Sequence, residues 1–366
     1  MKIIHVAGAR PNFMKLAPIL RETGQHPGIQ NILLHTGQHY AANMSDVFFN
    51  DLDLPRPDIN LQVGSASQAE QIAQIMLRFE PVLLTENPDL VLVVGDVNST
   101  LACSLVAAKL GIPVAHVEAG LRSFDRSMPE EINRIVTDAL SDLLFTPSLN
   151  ANQNLLKQGI DPEKIHFVGN VMVDSLLHAL QVARQRRSWG RWGLEPGGYA
   201  VLTLHRASNV DDLPTLTGLL DTMLEISRRV PVIFPIHPRT ANRLLSSPMA
   251  SVLQASPGMI LTEPLGYLDF LCLQGDARFI LTDSGGIQSE STILGVPCLT
   301  LRWNTEWPET IEQGTNRLVG TQPLKILPAV DEILLSQASP PQIPQGWDGQ
   351  AASRIASAIR RHFHLE

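Results

Sequence analysis

The chain has 366 residues, enough for two domains of ordinary size with substantial cores. Its 44 % hydrophobic and 17 % charged content fits a soluble globular protein, and a net charge of −8 argues against nucleic acid or an acidic membrane surface as the main partner. An anionic ligand must therefore be held by local arginines, lysines and helix ends. No apolar run reaches the roughly 18 residues a membrane span needs. The chain opens on the strand-like Met1-Lys2-Ile3-Ile4-His5-Val6, so no signal peptide is expected and the expected location is the cytoplasm. Cys103, Cys272 and Cys298 lie in apolar surroundings without disulfide or zinc spacing and read as buried thiols.

Short apolar runs alternate with amphipathic stretches of helix length almost from end to end. In the first half the strands fall at 2–7, 30–35, 90–94, 113–117, 143–146 and 165–168. In the second half they fall at 199–204, 232–236, 259–262, 279–282, 298–301 and 317–319. Continuous apolar runs suit parallel strands covered on both faces, and the alternation implies right-handed βαβ units. The fold expected is α/β with two Rossmann-like doubly wound domains, 1–184 and 185–345, joined by the polar, basic, glycine-bearing segment around Arg184–Gly190. A last helix at about 349–363, within 346–366, has no strand after it and is expected to cross back to the first domain.

In open parallel sheets ligands bind beyond the carboxyl ends of the strands, so the residues there carry the chemistry. After the first strand comes Gly8-Ala9-Arg10-Pro11-Asn12-Phe13-Met14-Lys15, which lacks the Gly-x-Gly-x-x-Gly dinucleotide fingerprint. Two cations, Arg10 and Lys15, at a helix start add electrostatic strain unless an anion sits there. Asp51-Leu52-Asp53 resembles an Asp-x-Asp metal site but lies beside a proline-rich turn and reads as surface. Asp96 and Glu118 follow what should be neighbouring strands and face one crevice. Asp96 has a helix N-cap as its plain alternative. Glu130 and Glu131 follow Pro129 in a helix's first turn, where pairing with the helix dipole is the plain alternative.

Leu204-His205-Arg206 and Ile236-His237-Pro238-Arg239 each close a strand of the second half. The most informative stretch follows, with the apolar run 279–282 ending in Asp283-Ser284-Gly285-Gly286 before a helix-like pattern. Strand, glycine turn and helix N-terminus together make an anion site of free N–H groups and positive dipole. Glu290 would repel phosphate but could accept both hydroxyls of a ribose. Phosphate donors beside a diol acceptor point to a nucleotide diphosphate.

These pieces together resemble the non-hydrolysing UDP-N-acetylglucosamine 2-epimerases. The resemblance runs in order over Arg10-Pro11 with Lys15, Thr36-Gly37-Gln38-His39, Gly95-Asp96, His116-Val117-Glu118-Ala119-Gly120-Leu121-Arg122, Pro129-Glu130-Glu131 with Asn133-Arg134, Gly169-Asn170, His205-Arg206 and Thr282-Asp283-Ser284-Gly285-Gly286-Ile287-Gln288 with Glu290. It implies a B-type glycosyltransferase fold, with UDP in the cleft between two Rossmann-like domains. It also implies reversible inversion at C2 of the sugar, giving UDP-N-acetylmannosamine by elimination of UDP to a 2-acetamidoglucal and re-addition. No redox cofactor and no metal are required.

Carried over residue by residue, the resemblance makes Asp96, Glu118, Glu130 and His205 the acid–base set. Arg10 would hold the diphosphate with Lys15 nearby. Ser284, Gly285 and Gly286 would cradle phosphate, Glu290 would take the ribose, and Tyr267 or Phe270 would pack on uracil. Gln38, His39, Arg206 and His237 resemble parts of a site where a second UDP-N-acetylglucosamine acts as an activator in many members, and a homodimer is implied. Trp307 stands where many members carry arginine, with Arg302 near enough to compensate, and Asn12-Phe13 departs from the commoner Glu-Ala. A hydrolysing epimerase or a UDP-sugar-dependent glycosyltransferase on the same fold is the alternative, and a catalytically silent UDP-sugar sensor is a third reading.

Overall fold

Runs of β-branched and aliphatic residues without polar interruption become strands buried on both faces, and nearly every apolar run of the sequence is one. The structure, a computed structural model, describes residues 1–38, 54–245, 249–336 and 342–365. The chain divides into two compact units, Met1–Leu177 with Gln345–Glu366, and His178–Pro344.

The first unit is built on β1 (Lys2–Ala7), β2 (Gln30–His35), β3 (Ile59–Asn60), β4 (Leu90–Val94), β5 (Val114–Val117), β6 (Leu143–Thr146) and β7 (Ile165–Phe167). They form one sheet in the order β3-β2-β1-β4-β5-β6-β7, every neighbouring pair parallel. The second unit uses β8 (Ala200–Thr203), β9 (Val232–Pro235), β10 (Met259–Thr262), β11 (Phe279–Thr282), β12 (Cys298–Thr300) and β13 (Asn316–Leu318). Its order is β10-β9-β8-β11-β12-β13, again all parallel. Both sheets are thus doubly wound, as expected. In each the strand order reverses once, between β1 and β4 and between β8 and β11. At such a point the connections leave in opposite directions and open a crevice at the carboxyl ends.

The two-residue edge strand β3 was not anticipated, because Ile59-Asn60 is too short to make an apolar run. Several expected strands are a residue longer than those observed, since residues such as Pro113 and Leu204 already belong to the turns.

Helices cover the sheets through apolar stripes at helical spacing. Leu216, Leu219, Leu220, Met223 and Ile226 of helix Leu213–Ser227 are all buried in one cluster with β8, β9 and β11. Ala102, Cys103, Val106 and Ala107 of helix Asn98–Lys109 do the same against β1 and β4. Each large aliphatic side chain so buried contributes about 1.5–3 kcal/mol.

The segment around Arg184–Gly190 is structured. Helix Val171–Gln185 carries the chain across the division between the units, and a 3-10 turn, Ser188–Trp192, follows. There the Trp189 indole N–H donates to Asp276 at 3.0 Å and the Ser188 hydroxyl to Asp269 at 2.7 Å. At the other end of the chain, Trp347 is buried with its N–H on the Pro147 carbonyl at 3.1 Å. Asp174 takes the backbone N–H groups of Ala351 and Ala352, the first residues of helix Ala351–His362. That helix packs on helix Arg10–Gly24 in the first unit.

Candidate active site

In the first unit the turn after β1 is pinned to β4 by one side chain. Asn12 Oδ1 accepts the N–H groups of Gly8 and Ala9 at 3.0 and 2.8 Å, and its amide donates to the Val94 carbonyl at 3.1 Å. Pro11 occupies the first turn of helix Arg10–Gly24, so the helix starts sharply and leaves Arg10 exposed at its tip. One turn on, the Lys15 ammonium pairs with the Glu118 carboxylate, both largely buried. Glu118 itself has φ +70°, a left-handed conformation that costs a non-glycine residue about 1–2 kcal/mol. Strain of that kind persists only where the surroundings over-determine it. Gly95 lies beside this pair with φ +68°, a conformation that favours glycine, and a Cβ there would lie 2.8 Å from Lys15 Nζ.

Asp96 is not an N-cap. The cap of helix Asn98–Lys109 is Val97, which makes no side-chain cap bond. The Asp96 carboxylate instead meets Arg134 Nε at 3.2 Å, and its backbone carbonyl accepts from the Asn133 amide at 2.8 Å. Glu130 and Glu131 separate clearly. Glu131 is buried and accepts from Ser123 N (2.9 Å), Ser123 Oγ (3.1 Å), Phe124 N (3.1 Å) and Arg134 (2.8 Å), which makes it the fastener of the loop before its helix. Glu130 is half-buried on the first turn of helix Pro129–Leu140. Gln38 is buried, its side-chain oxygen accepting the backbone and hydroxyl of Ser99 at 3.0 and 2.7 Å. His39 and the segment Asp51-Leu52-Asp53 lie outside the described residues.

In the second unit the reversal of strand order brings β8 and β11 side by side, with Thr203 opposite Thr282 and their hydroxyls sharing a hydrogen bond of 2.6 Å. Just beyond, the fully buried Asp283 carboxylate collects the N–H groups of His205 (3.1 and 3.0 Å) and Arg206 (3.0 Å) and the Asn209 amide (3.2 Å). It also meets His205 Nδ1 at 2.9 Å. Burial alone would raise its pKa, but the bonds from His205 and the two backbone donors prevail and hold it below the ordinary value. The His205 and His237 rings lie 5.5 Å apart between centroids. Burial, and then neighbouring His205, lower the pKa of His237.

Ser284 caps helix Gly285–Leu294 through its backbone only, so the first N–H groups of the helix have no side-chain cap. Around Gly285 stand three side chains: a Cβ there would lie 3.6 Å from Glu306 Oε2, 3.7 Å from the Trp307 indole nitrogen and 3.9 Å from Arg206 Nη2. Arg302 holds Glu306 in a bidentate pair at 2.9 and 3.0 Å and also bonds Asn304, so its guanidinium is engaged with these neighbours. Glu290 is buried and bonded by the Gln274 amide at 2.8 Å, and burial raises its pKa to about 7 against that bond. A cleft of about 180 Å³ opens at these strand ends, lined among others by Thr203, His205, His237, Leu265, Phe270 and Ser284. Phe270 therefore faces the cleft. Tyr267 is buried, with no hydrogen-bond partner for its hydroxyl among the described residues.

Reading the sequence did not anticipate two partnerships. Asp283 serves His205 from 78 residues away, and Gln274 reaches Glu290 from the preceding helix. Nothing in the spacing of the chain signals either.

Two doubly wound sheets, each with charged side chains at its reversal point, make this an α/β protein of two Rossmann-like units, with a helix start free of side-chain capping beside a buried carboxylate in the second. The family model for UDP-N-acetylglucosamine 2-epimerase matches residues 21–360, and the chain belongs to that family; it is an epimerase. It is similar to the UDP-N-acetylglucosamine 2-epimerase of Methanocaldococcus jannaschii, at 46 % identity over 98 % of this chain and 99 % of that protein. It is also similar to the UDP-2,3-diacetamido-2,3-dideoxy-D-glucuronate 2-epimerase of Pseudomonas aeruginosa, 40 % identical over 99 % of this chain and all of that one. The crystal structure of the M. jannaschii enzyme with UDP-GlcNAc and UDP superposes with a TM-score of 0.92 at 44 % identity, covering 99 % of this chain and 100 % of the other. The Neisseria meningitidis enzyme bound to UDP-GlcNAc gives 0.90 at 30 % identity, over 99 % and 100 %.

Proposed function

We propose that this protein interconverts UDP-N-acetylglucosamine and UDP-N-acetylmannosamine. A base removes the proton from C2, the C1–O bond breaks with its electron pair leaving on UDP, and a C1=C2 double bond forms. A proton then returns to the opposite face of C2 as UDP re-adds at C1. No water and no electrons are consumed. The observation that carries this reading is the His205–Asp283 pair beside the uncapped start of helix Gly285–Leu294. A proton-transfer group stands where a leaving diphosphate would be received.

In this reading Ser284, Gly285 and Gly286 bind the diphosphate through backbone N–H groups, assisted by Arg206 and the Trp307 indole. Glu290 takes the ribose and Phe270 packs on the uracil. His205 handles the proton of the departing UDP. Asp96, Glu118 and Glu130 serve C2, with Lys15 paired to Glu118 and Arg10 meeting phosphate. Choosing the N-acetylglucosamine nucleotide rests on the greater identity to the M. jannaschii relative than to the diacetamido-glucuronate one.

The test is incubation of each of the two UDP-sugars in heavy water with NMR observation of C2. Deuterium at C2 of both epimers from UDP-N-acetylglucosamine is expected. Epimerisation that retains the original C2 hydrogen would refute the mechanism, and turnover of the glucuronate nucleotide alone would refute the substrate.

A further inference from the structure

The carboxylates assigned to C2 chemistry, Asp96 and Glu118, follow two different strands, and one buried side chain is tied to both turns. Asp138 is 1 % exposed, on helix Pro129–Leu140. Its Oδ1 lies 2.7 Å from His116 Nδ1, and His116 Nε2 donates to the Gly95 carbonyl at 2.8 Å, the peptide that leads into Asp96. Its Oδ2 accepts the Gly120 N–H at 3.1 Å, two residues after Glu118, and Arg122 at 2.6 Å. Gly95 and Gly120 both have positive φ, as does Glu118 between the two anchored points. Gly120 also approaches the next helix so closely that a Cβ would sit 2.4 Å from the Ala151 carbonyl. The same helix supplies Arg134 to the Asp96 carboxylate, one turn before Asp138 and hence on the same face.

We propose that Asp138 and His116 are positioning residues for the epimerisation, a single bracket that fixes the two strand-end turns so that Asp96 and Glu118 are presented to one carbon. This rests on the assignment of those carboxylates made above. Neither Asp138 nor His116 is placed to touch substrate. Their effect passes through the backbone of Gly95 and Gly120, where a displacement of about 1 Å costs on the order of 10²-fold in rate.

The experiment is a double-mutant cycle on kcat and KM for UDP-N-acetylglucosamine, with thermal melting to establish the folded fraction. Asp138→Asn and His116→Phe are made singly and with Glu118→Gln. Each single variant is expected to lose about tenfold or more in kcat with KM within about threefold of the parent. If Asp138 acts through Glu118, adding Asp138→Asn to Glu118→Gln lowers kcat no further than about threefold. A general structural role would instead make the two losses multiply, and that result overturns the proposal. So does a folded single variant of undiminished kcat, or the failure of both single variants to fold, which makes the network a folding element only. Should Asp138→Asn alone fail to fold, the His116→Phe cycle decides by the same criterion. An active Glu118→Gln variant would remove the carboxylate assignment and the proposal with it, a failure distinguishable because the single Asp138 and His116 effects would then have no target.

Discussion

His205 Nδ1 lies 2.9 Å from Oδ1 of Asp283, a carboxylate with no exposed surface that also holds the backbone of His205 and Arg206. With Nδ1 engaged by an acceptor, Nε2 is the nitrogen left to exchange a proton with a departing phosphate oxygen. Orientation of the ring and choice of tautomer are therefore made together by one side chain. Asp283→Asn should keep the shape of the turn while offering a donor where the ring needs an acceptor. A fall in kcat of about 10²-fold is expected, with a lesser effect in His205 variants already lacking the ring; steady-state kinetics on both would show it. Wild-type turnover in Asp283→Asn would deny the pair any part in proton transfer.

Asp96→Asn and Glu118→Gln should each lower kcat by about 10²-fold or more, the scale of a positioned proton-transfer group. UDP affinity, measured by calorimetry, should hardly change. Weakened UDP binding at unchanged kcat would mean that these side chains serve the nucleotide instead.

Adjacent glutamates should behave in opposite ways. Glu131→Gln removes the charge that answers Arg134 and one of the two oxygens that accept from Ser123 and Phe124. A stability loss of roughly 3 kcal/mol is expected, the scale for breaking a buried pair on one side. Glu130→Gln should leave the denaturant midpoint alone and reduce turnover. Urea unfolding beside kinetic assays separates the two, and equal stability losses would contradict the division.

Gly95→Ala should cost about 1–2 kcal/mol from its left-handed φ, and its new methyl displaces the Lys15 ammonium. Because that contact also bears on the Lys15–Glu118 pair, kcat should fall even in protein that remains folded. Full activity of folded Gly95→Ala would show that the pair tolerates displacement.

Binding should depend on pH through Glu290, whose pKa burial raises to about 7 in the unliganded protein. A ribose diol presents two donors, which the ionised carboxylate accepts and the neutral acid does not. Affinity for UDP-N-acetylglucosamine should therefore rise as pH increases through about 7, with release of a proton on binding. The stability contribution runs the other way. A carboxyl whose folded pKa lies above its unfolded value favours the folded state at low pH, and that contribution is lost as pH rises from about 4.5 to about 7. Calorimetry in buffers of different ionisation enthalpy measures the proton released. An unchanged pH dependence in Glu290→Gln would assign the effect to another group.

What the sequence determined by itself was the architecture and the places where chemistry could occur. Uninterrupted aliphatic runs such as Leu90–Val94 have only one stable environment, the middle of a parallel sheet, and their polar followers, Asp96, Glu118, His205 and Ser284, must then emerge at carboxyl ends. Those inferences need only local pattern and the rules of βαβ connection. The tertiary structure alone decided which of these side chains are engaged and with what. Asp96 has a helix cap as its plain alternative in the sequence, and the fold sets Arg134 against it instead. Glu130 and Glu131 are alike in sequence and differ only in which way the first turn of their helix points. Tyr267 and Phe270 stand as alternatives in the sequence, and of the two Phe270 lines the cleft of the folded chain. The partners that settle such questions, Asp283 for His205 and Asp138 for His116, lie 78 and 22 residues away along the chain. They meet because strand order reverses and a helix returns across the sheet. Pairing at that range depends on the register of packed elements, which the local pattern of the chain does not encode.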